Sequence, residues 1–194
     1  IVDNQMSNAN GLHTQAICKR RMGQFEVEEY VSWKRQLCAL PEFADVIDPN
    51  RVGIYGWSYG GYVSLMAMAQ APQEFKLGFA GAPVGDWMLY DTGYTERYMG
   101  VVTDDKSAAA YTAGKVSTYA AGFPDELDRL FLAHGLLDEN VHFTHSCDVL
   151  NALVEYGKPY AMLVYPGERH GLRQKKPSRA HYDAVLIKTV VEKL

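Results

Sequence analysis

The stretch Arg51-Val52-Gly53-Ile54-Tyr55-Gly56-Trp57-Ser58-Tyr59-Gly60-Gly61, running on into Tyr62-Val63-Ser64-Leu65-Met66-Ala67-Met68-Ala69, decides how the chain is read. Arg51 to Tyr55 reads as a short buried strand and Tyr62 to Ala69 as a helix of small and apolar residues. Between them Gly56, Ser58 and Gly60 spell Gly-x-Ser-x-Gly. Strand, sharp turn and helix in that order force Ser58 into a strained backbone conformation at the top of a sheet. Gly56 and Gly60 are expected to be glycine because a side chain there would meet the neighbouring strand or helix. The Ser58 hydroxyl then stands exposed. The backbone N–H of Tyr59 points out from the start of a helix, where negative charge is stabilised. The bland alternative, a Gly-rich loop that happens to hold a serine, does not account for the strand and helix signals on either side.

Upstream, Phe25, Val27, Tyr30, Val31, Trp33, Leu37 and Leu40 recur at three- and four-residue steps, with Glu26, Glu28, Glu29, Lys34 and Arg35 mostly between them. This predicts an amphipathic helix from Gly23 to Leu40 covering one face of a sheet. Gln5 to Lys19 is polar and reads as a loop with a short helical turn; Ile1-Val2-Asp3-Asn4 reads as the tail of a strand, so the first strands of the sheet are expected to be missing. Downstream, Phe75 to Pro83 is a second buried strand, Arg129 to Gly135 a third and Tyr160 to Tyr165 a fourth. Helices are expected between them at about 143–156 and after them at about 180–194. Alternating strands and helices predict an α/β fold, a mostly parallel sheet with helices on both faces. Val84 to Met99 is rich in aromatics, and Tyr90 and Tyr94, four apart, would share one face of a helix. That stripe is either core or the wall of a ligand site, since it follows the C-terminal end of a strand.

Composition narrows the function. The chain has 194 residues with 47% hydrophobic and 12% aromatic content, enough for one globular domain with a real core. Net charge is −4 with basic residues interspersed, so no nucleic-acid face is expected. No apolar run of membrane-spanning length occurs, so no membrane partner is expected either. Cys18, Cys38 and Cys147 lack metal-ligand spacing and read as reduced thiols; neither a metal nor a cofactor is called for.

A serine hydroxyl needs a histidine to take its proton and a carboxylate to orient that histidine. In α/β-hydrolases these partners follow the nucleophile in the order acid, histidine, each on a loop after a strand. Asp138 after the third strand and His170 after the fourth fit that order, with Glu139 a close rival for the acid. His13, His134, His142, His145 and His181 lie on other elements: His134 at the end of a buried strand, and His142 and His145 at the opening of a helix.

Gly56 to Tyr62, Ala82-Pro83-Val84, Tyr90-Asp91-Thr92-Gly93-Tyr94-Thr95-Glu96-Arg97-Tyr98-Met99 and His134-Gly135 through Asp138-Glu139-Asn140-Val141-His142-Phe143 resemble the catalytic domain of the prolyl oligopeptidase family, in its dipeptidyl peptidase IV branch. Leu137 to Phe143, Gly157-Lys158-Pro159-Tyr160 and Glu168-Arg169-His170 are most similar to dipeptidyl peptidases 8 and 9. The resemblance implies a C-terminal α/β-hydrolase catalytic domain over 1–194, its upstream strands and a β-propeller lying outside this chain. It implies a serine exopeptidase removing N-terminal dipeptides from peptides with proline, or less well alanine, at the second position. Ser58 would be the nucleophile, His170 the base, Asp138 the orienting acid and the Tyr59 N–H an oxyanion donor. Tyr62, Val84, Trp87, Tyr90, Tyr94 and Val141 would form the proline pocket, and Asn140 would bind the carbonyl before the scissile bond. A compact ring without an N–H is best read by an aromatic box. The family's other oxyanion donor, a tyrosine hydroxyl, and its paired amine-binding glutamates lie upstream of this chain. Leu77 and Glu192 stand where secreted relatives carry bonded cysteines, which implies the cytoplasmic branch; a homodimer is expected of the full-length protein. Two other readings stand beside this one: an acylaminoacyl peptidase or carboxylesterase on the same fold, and a non-catalytic assembly domain.

Overall fold

Strands β1 (Gly53–Trp57), β2 (Leu77–Gly81), β3 (Leu130–Gly135) and β4 (Ala161–Tyr165) lie side by side in chain order, all parallel. They belong to a computed structural model that describes Gln5 and residues 11–194, apart from the Gln15 side chain. The strand tail expected at Ile1–Asn4 lies outside the described residues. Helices α1 (Leu12–Gln15) and α2 (Phe25–Ala39) precede β1, α3 (Tyr59–Gln70), α4 (Thr92–Met99), α5 (Asp105–Gly114) and α6 (Thr144–Glu155) fill the crossovers, and α7 (Lys176–Lys193) follows β4. Right-handed crossovers between strands taken in order place α3 and α6 on the same face, and α7 returns on the other.

Period-two alternation supplies a core to each face. Ala80, Leu130 and Leu132 point into the larger core, with Leu65 and Met66 of α3 and Val149 and Leu153 of α6. Phe79, Phe131 and Ala133 point the other way, onto Tyr182 and Leu186 of α7. Phe79 and Phe131 stack with ring centroids 5.6 Å apart, and Tyr182 meets Phe79 edge-on at 5.6 Å.

Helix α2 forms where expected, but its polar pattern does not simply face water. Glu26 and Glu29 are both buried, whereas Leu40 is exposed. The acids are tolerated because they are bonded: Glu26 accepts from the Gly23 N–H at 2.8 Å and from the Tyr59 hydroxyl, and Glu29 from the Gln5 N–H at 3.2 Å. Burial raises the Glu26 carboxyl, and the Tyr59 and Gly23 hydrogen bonds only partly offset it.

β1 has no neighbour on its outer side among the described residues. Clefts of about 490 and 390 Å³ flank it, one under Tyr30, Trp33 and Leu37 of α2, the other under Leu186 and Val190 of α7. No helix among the described residues is long and apolar enough to cross a membrane.

Candidate active site

Because all four strands run parallel, the loops that leave their C-terminal ends share one rim of the sheet. At the end of β1 the chain turns into α3 through Ser58, whose φ of 59° and ψ of −117° lie outside the regions an L-residue normally occupies. Such a residue costs roughly 1–3 kcal/mol and persists only where its surroundings fix it. Here the Ser58 N–H donates to the Gly81 carbonyl at 2.8 Å, and its own carbonyl accepts from Tyr62 at 3.0 Å. Tight packing allows the turn. A Cβ on Gly56 would run into the Gly60 carbonyl, and one on Gly61 would lie 2.5 Å from the Gly81 oxygen. The expectation for Gly60 is corrected: nothing lies within 4 Å of a Cβ there, because it faces away from β2, and Gly61 is the helix glycine that sterics demand. Tyr59 opens α3, so its backbone N–H has no acceptor within the helix.

Asp138 and His170 meet above β3 and β4. The Leu137 N–H donates to the Glu168 carbonyl at 3.0 Å and Leu136 to the Tyr165 carbonyl at 3.1 Å, which binds the two loops together. Glu168, itself buried, accepts from the Gln174 and Lys175 N–H groups and the Ser178 hydroxyl, so it anchors the loop to the start of α7. Within this frame His170 Nδ1 lies 2.8 Å from Asp138 Oδ2. Asp138 Oδ1 accepts from the Asn140 and Val141 N–H groups at 3.0 and 2.9 Å. Burial alone would raise the Asp138 carboxyl; hydrogen bonds from His134, His170 and the Asn140 N–H outweigh it and hold the group well below the usual carboxylate range. Glu139 is exposed and, among the described residues, hydrogen-bonds only the His170 backbone N–H, at 3.5 Å, so the histidine ring is held by Asp138 and not by its rival.

The β4 loop also reaches back to β1. The Trp57 indole N–H donates to the His170 carbonyl at 2.9 Å, tying the histidine to the residue before Ser58. Trp57 is packed in turn against Tyr182, ring centroids 5.1 Å apart. With Nδ1 on Asp138, Nε2 is the ring nitrogen that remains; neither it nor the Ser58 hydroxyl makes a hydrogen bond among the described residues.

A slot of about 100 Å³ adjoins Ser58, lined by Ser58, Tyr59, Val84, Trp87, Tyr90 and Tyr94. That is far below the ~300–1,000 Å³ of pockets for drug-sized ligands, and suits a single small ring or side chain. Tyr90 and Tyr94 meet edge-on at 5.4 Å, and Tyr94 stacks on Trp87 at 6.0 Å. They do not share a helix. Asp91 caps α4 by accepting from the Tyr94 N–H at 2.8 Å, which leaves Tyr90 in the extended residue before it. Burial pushes the Tyr94 phenol up to about 12, so it stays protonated near neutral pH. Two residues expected in the slot stand behind it instead. Tyr62 is fully buried, its hydroxyl bonded to the Met22 and Gly114 carbonyls, and it backs Trp87 edge-on at 5.0 Å. Val141 is also fully buried and contributes its N–H to Asp138. Asn140 sits at the mouth, where its side-chain oxygen accepts from the Tyr90 hydroxyl at 2.7 Å. His134, which the sequence places at the end of a buried strand and outside the triad, touches Asp138; a histidine inside a buried strand is itself the signal, since its ring nitrogens must find partners.

Elbow, sheet order and rim loops together define an α/β-hydrolase fold. The chain belongs to the prolyl oligopeptidase family, whose pattern matches residues 1–187. Dipeptidyl peptidase 8 of Mus musculus and of Homo sapiens are each 46% identical to it over 194 residues, all of this chain and 21% of theirs. Dipeptidyl peptidase 4 of Bos taurus is 37% identical over 170 residues, 88% of this chain and 21% of that protein. The crystal structure of Porphyromonas gingivalis dipeptidyl peptidase 4 superposes with a TM-score of 0.89 at 30% identity, over 100% of this chain and 26% of that one. The chain thus spans about a fifth of the length of the curated relatives it matches.

Proposed function

We propose that the chain is the catalytic portion of a serine dipeptidyl peptidase that removes N-terminal X-Pro, or less well X-Ala, dipeptides through an acyl-enzyme at Ser58. The observation that carries this reading is the Asp138–His170 hydrogen bond of 2.8 Å, on a loop tied through Trp57 to the strained Ser58 and its aromatic slot. Asp138 holds the Nδ1–H tautomer, leaving Nε2 to take the Ser58 proton as Oγ attacks the carbonyl of the second substrate residue. The oxygen that becomes negative is stabilised by the Tyr59 N–H. His170 then passes the proton to the leaving amine, and a water molecule deprotonated by the same nitrogen releases the dipeptide from Ser58. The slot walled by Val84, Trp87, Tyr90 and Tyr94 takes the pyrrolidine ring, with Tyr62 and Val141 setting its shape from behind. Tyr90 occupies the Asn140 side-chain oxygen, so the Asn140 amide hydrogens are available to a substrate carbonyl.

Ser58→Ala in the full-length protein is expected to abolish hydrolysis of Gly-Pro chromogenic amides and labelling by a fluorophosphonate. A variant that keeps the wild-type rate would falsify the assignment. The outer edge of β1, unpaired among the described residues, and its two clefts support a domain completed by strands outside this chain. A cytoplasmic location belongs to the same reading. So does a homodimer of the full-length protein, which sedimentation velocity tests: a monomeric sedimentation coefficient rejects it.

A further inference from the structure

His134 is fully buried at the C-terminal end of β3, and both its ring nitrogens are bonded. Nδ1 lies 2.8 Å from the Ser146 hydroxyl on α6, itself fully buried. Nε2 lies 3.1 Å from Asp138 Oδ2 and 2.8 Å from the Val141 carbonyl oxygen. Neither of those two atoms can donate while Asp138 is ionised, so Nε2 must carry the hydrogen. In the neutral ring Nδ1 is then the acceptor, and the Ser146 hydroxyl donates to it. Packing alone does not call for this arrangement: Leu or Phe would fill the strand position without two polar atoms to desolvate. What the imidazole adds is an N–H shared between the Val141 carbonyl and Asp138 Oδ2, the same oxygen that receives the His170 N–H.

We infer that His134, its tautomer set by Ser146, is a positioning residue for Asp138: it fixes the oxygen that orients His170 and draws off part of the charge that oxygen presents. The inference rests on the peptidase reading above. The other titratable groups around the pair leave Oδ2 to the two histidines. Among the described residues Glu139 reaches only the His170 backbone, and the Tyr90 hydroxyl is turned to Asn140. On α6, His145 accepts from the Gly85 N–H, and from the β4 loop Glu168 is engaged by Gln174, Lys175 and Ser178. His142 precedes α6 on the exposed side, and the Phe143 ring closes over His134 at 5.4 Å.

The test compares wild type, His134→Gln, His134→Phe and Ser146→Ala in the full-length protein. It reads kcat, KM and the pH profile of kcat/KM on a Gly-Pro chromogenic amide, with a melting curve for each variant. Phe keeps the ring bulk without a donor; Gln returns a side-chain N–H near the place of Nε2. Losing one hydrogen bond to a charged group predicts that His134→Phe lowers kcat by about tenfold or more while KM stays within about twofold. With one donor fewer, Asp138 holds the His170 proton more tightly, so the acid limb of the profile moves up by about half a pH unit. Gln is expected to restore most of both, and Ser146→Ala to move the limb the same way by less. An unmoved limb, with any loss of rate following the melting temperature alone, makes His134 a packing residue and overturns the inference. Should the His134 variants fail to fold, Ser146→Ala decides: wild-type rate and profile there overturn it equally. A wild type whose Ser58 resists a fluorophosphonate brings down the peptidase reading and this inference together, whereas a labelled wild type beside an indistinguishable His134→Phe removes only the role of His134.

Discussion

The three glycines of the elbow are unequal, and replacing each by alanine measures how far sterics hold Ser58 in place. A Cβ at Gly56 would drive into the Gly60 carbonyl, and one at Gly61 would come 2.5 Å from the Gly81 oxygen and 3.2 Å from Pro83 Cα. These obstacles are backbone, which cannot swing aside as the end of a side chain can; α3 and the sheet would have to part. Overpacking costs about 1–3 kcal/mol where side chains can yield, and backbone on both sides puts Gly56→Ala and Gly61→Ala at about 3 kcal/mol or above. For a domain of this size each kcal/mol moves the melting point by about 2–4 °C, so drops of about 6–12 °C are expected. Gly60 is the second residue of α3, with open space where its Cβ would stand, and alanine restricts the unfolded chain more than glycine does. Gly60→Ala is therefore expected to stabilise by about 0.5–1 kcal/mol, a rise of about 1–4 °C. Thermal unfolding of the full-length protein followed by calorimetry reads all three. A Gly60→Ala melting point that falls as far as that of Gly56→Ala would refute the packing argument, because the motif would then demand its second glycine for a reason unrelated to space.

Two further outcomes follow from the charge arrangement. Asp138→Asn offers an amide where His170 Nδ1–H needs an acceptor and favours the wrong tautomer, so kcat should fall about 10³- to 10⁴-fold with little change in folding; a loss under tenfold would mean that Asp138 does not orient His170. Burial, followed by the nearby His134, pushes His145 down from 6.5 to about 4, so between those values the unfolded chain binds the extra proton. Its contribution is present in full above pH 6.5 and is lost as pH falls toward 4. His145→Asn keeps an acceptor for the Gly85 N–H and does not titrate, so its stability loss between pH 7 and 5 should be smaller than wild type by about 2 kcal/mol in denaturant titrations; equal losses reject a buried neutral His145.

What could be read in the sequence divides along a physical line. The parallel strands with their helices, and the rim positions of Ser58, Asp138 and His170, were legible because both depend on patterns local in the chain: a period of two or 3.6, and a loop after each strand. Tertiary partnership was not. Glu26 and Glu29 carry the composition of a solvated helix face, yet they are buried, because the Tyr59 hydroxyl and the Gln5 backbone N–H arrive from elsewhere in the chain to bond them, beside the local Gly23 N–H on Glu26. Tyr90 and Tyr94 do come together, but through an Asp91 cap that ends one element and begins the next, so the right contact came from the wrong periodicity. His134 shows why the gap is systematic. Asp138 is the fourth residue after it, a spacing that on a helix would have suggested a shared face. Here it spans the end of a strand and the turn beyond it, and only the fold of that turn, fixed by the Asn140 and Val141 N–H groups on Asp138, brings the carboxylate back within reach of the ring nitrogen. A buried polar residue states that it has partners without naming them, and at this site the partners decide which histidine acts on substrate and which acts through the acid.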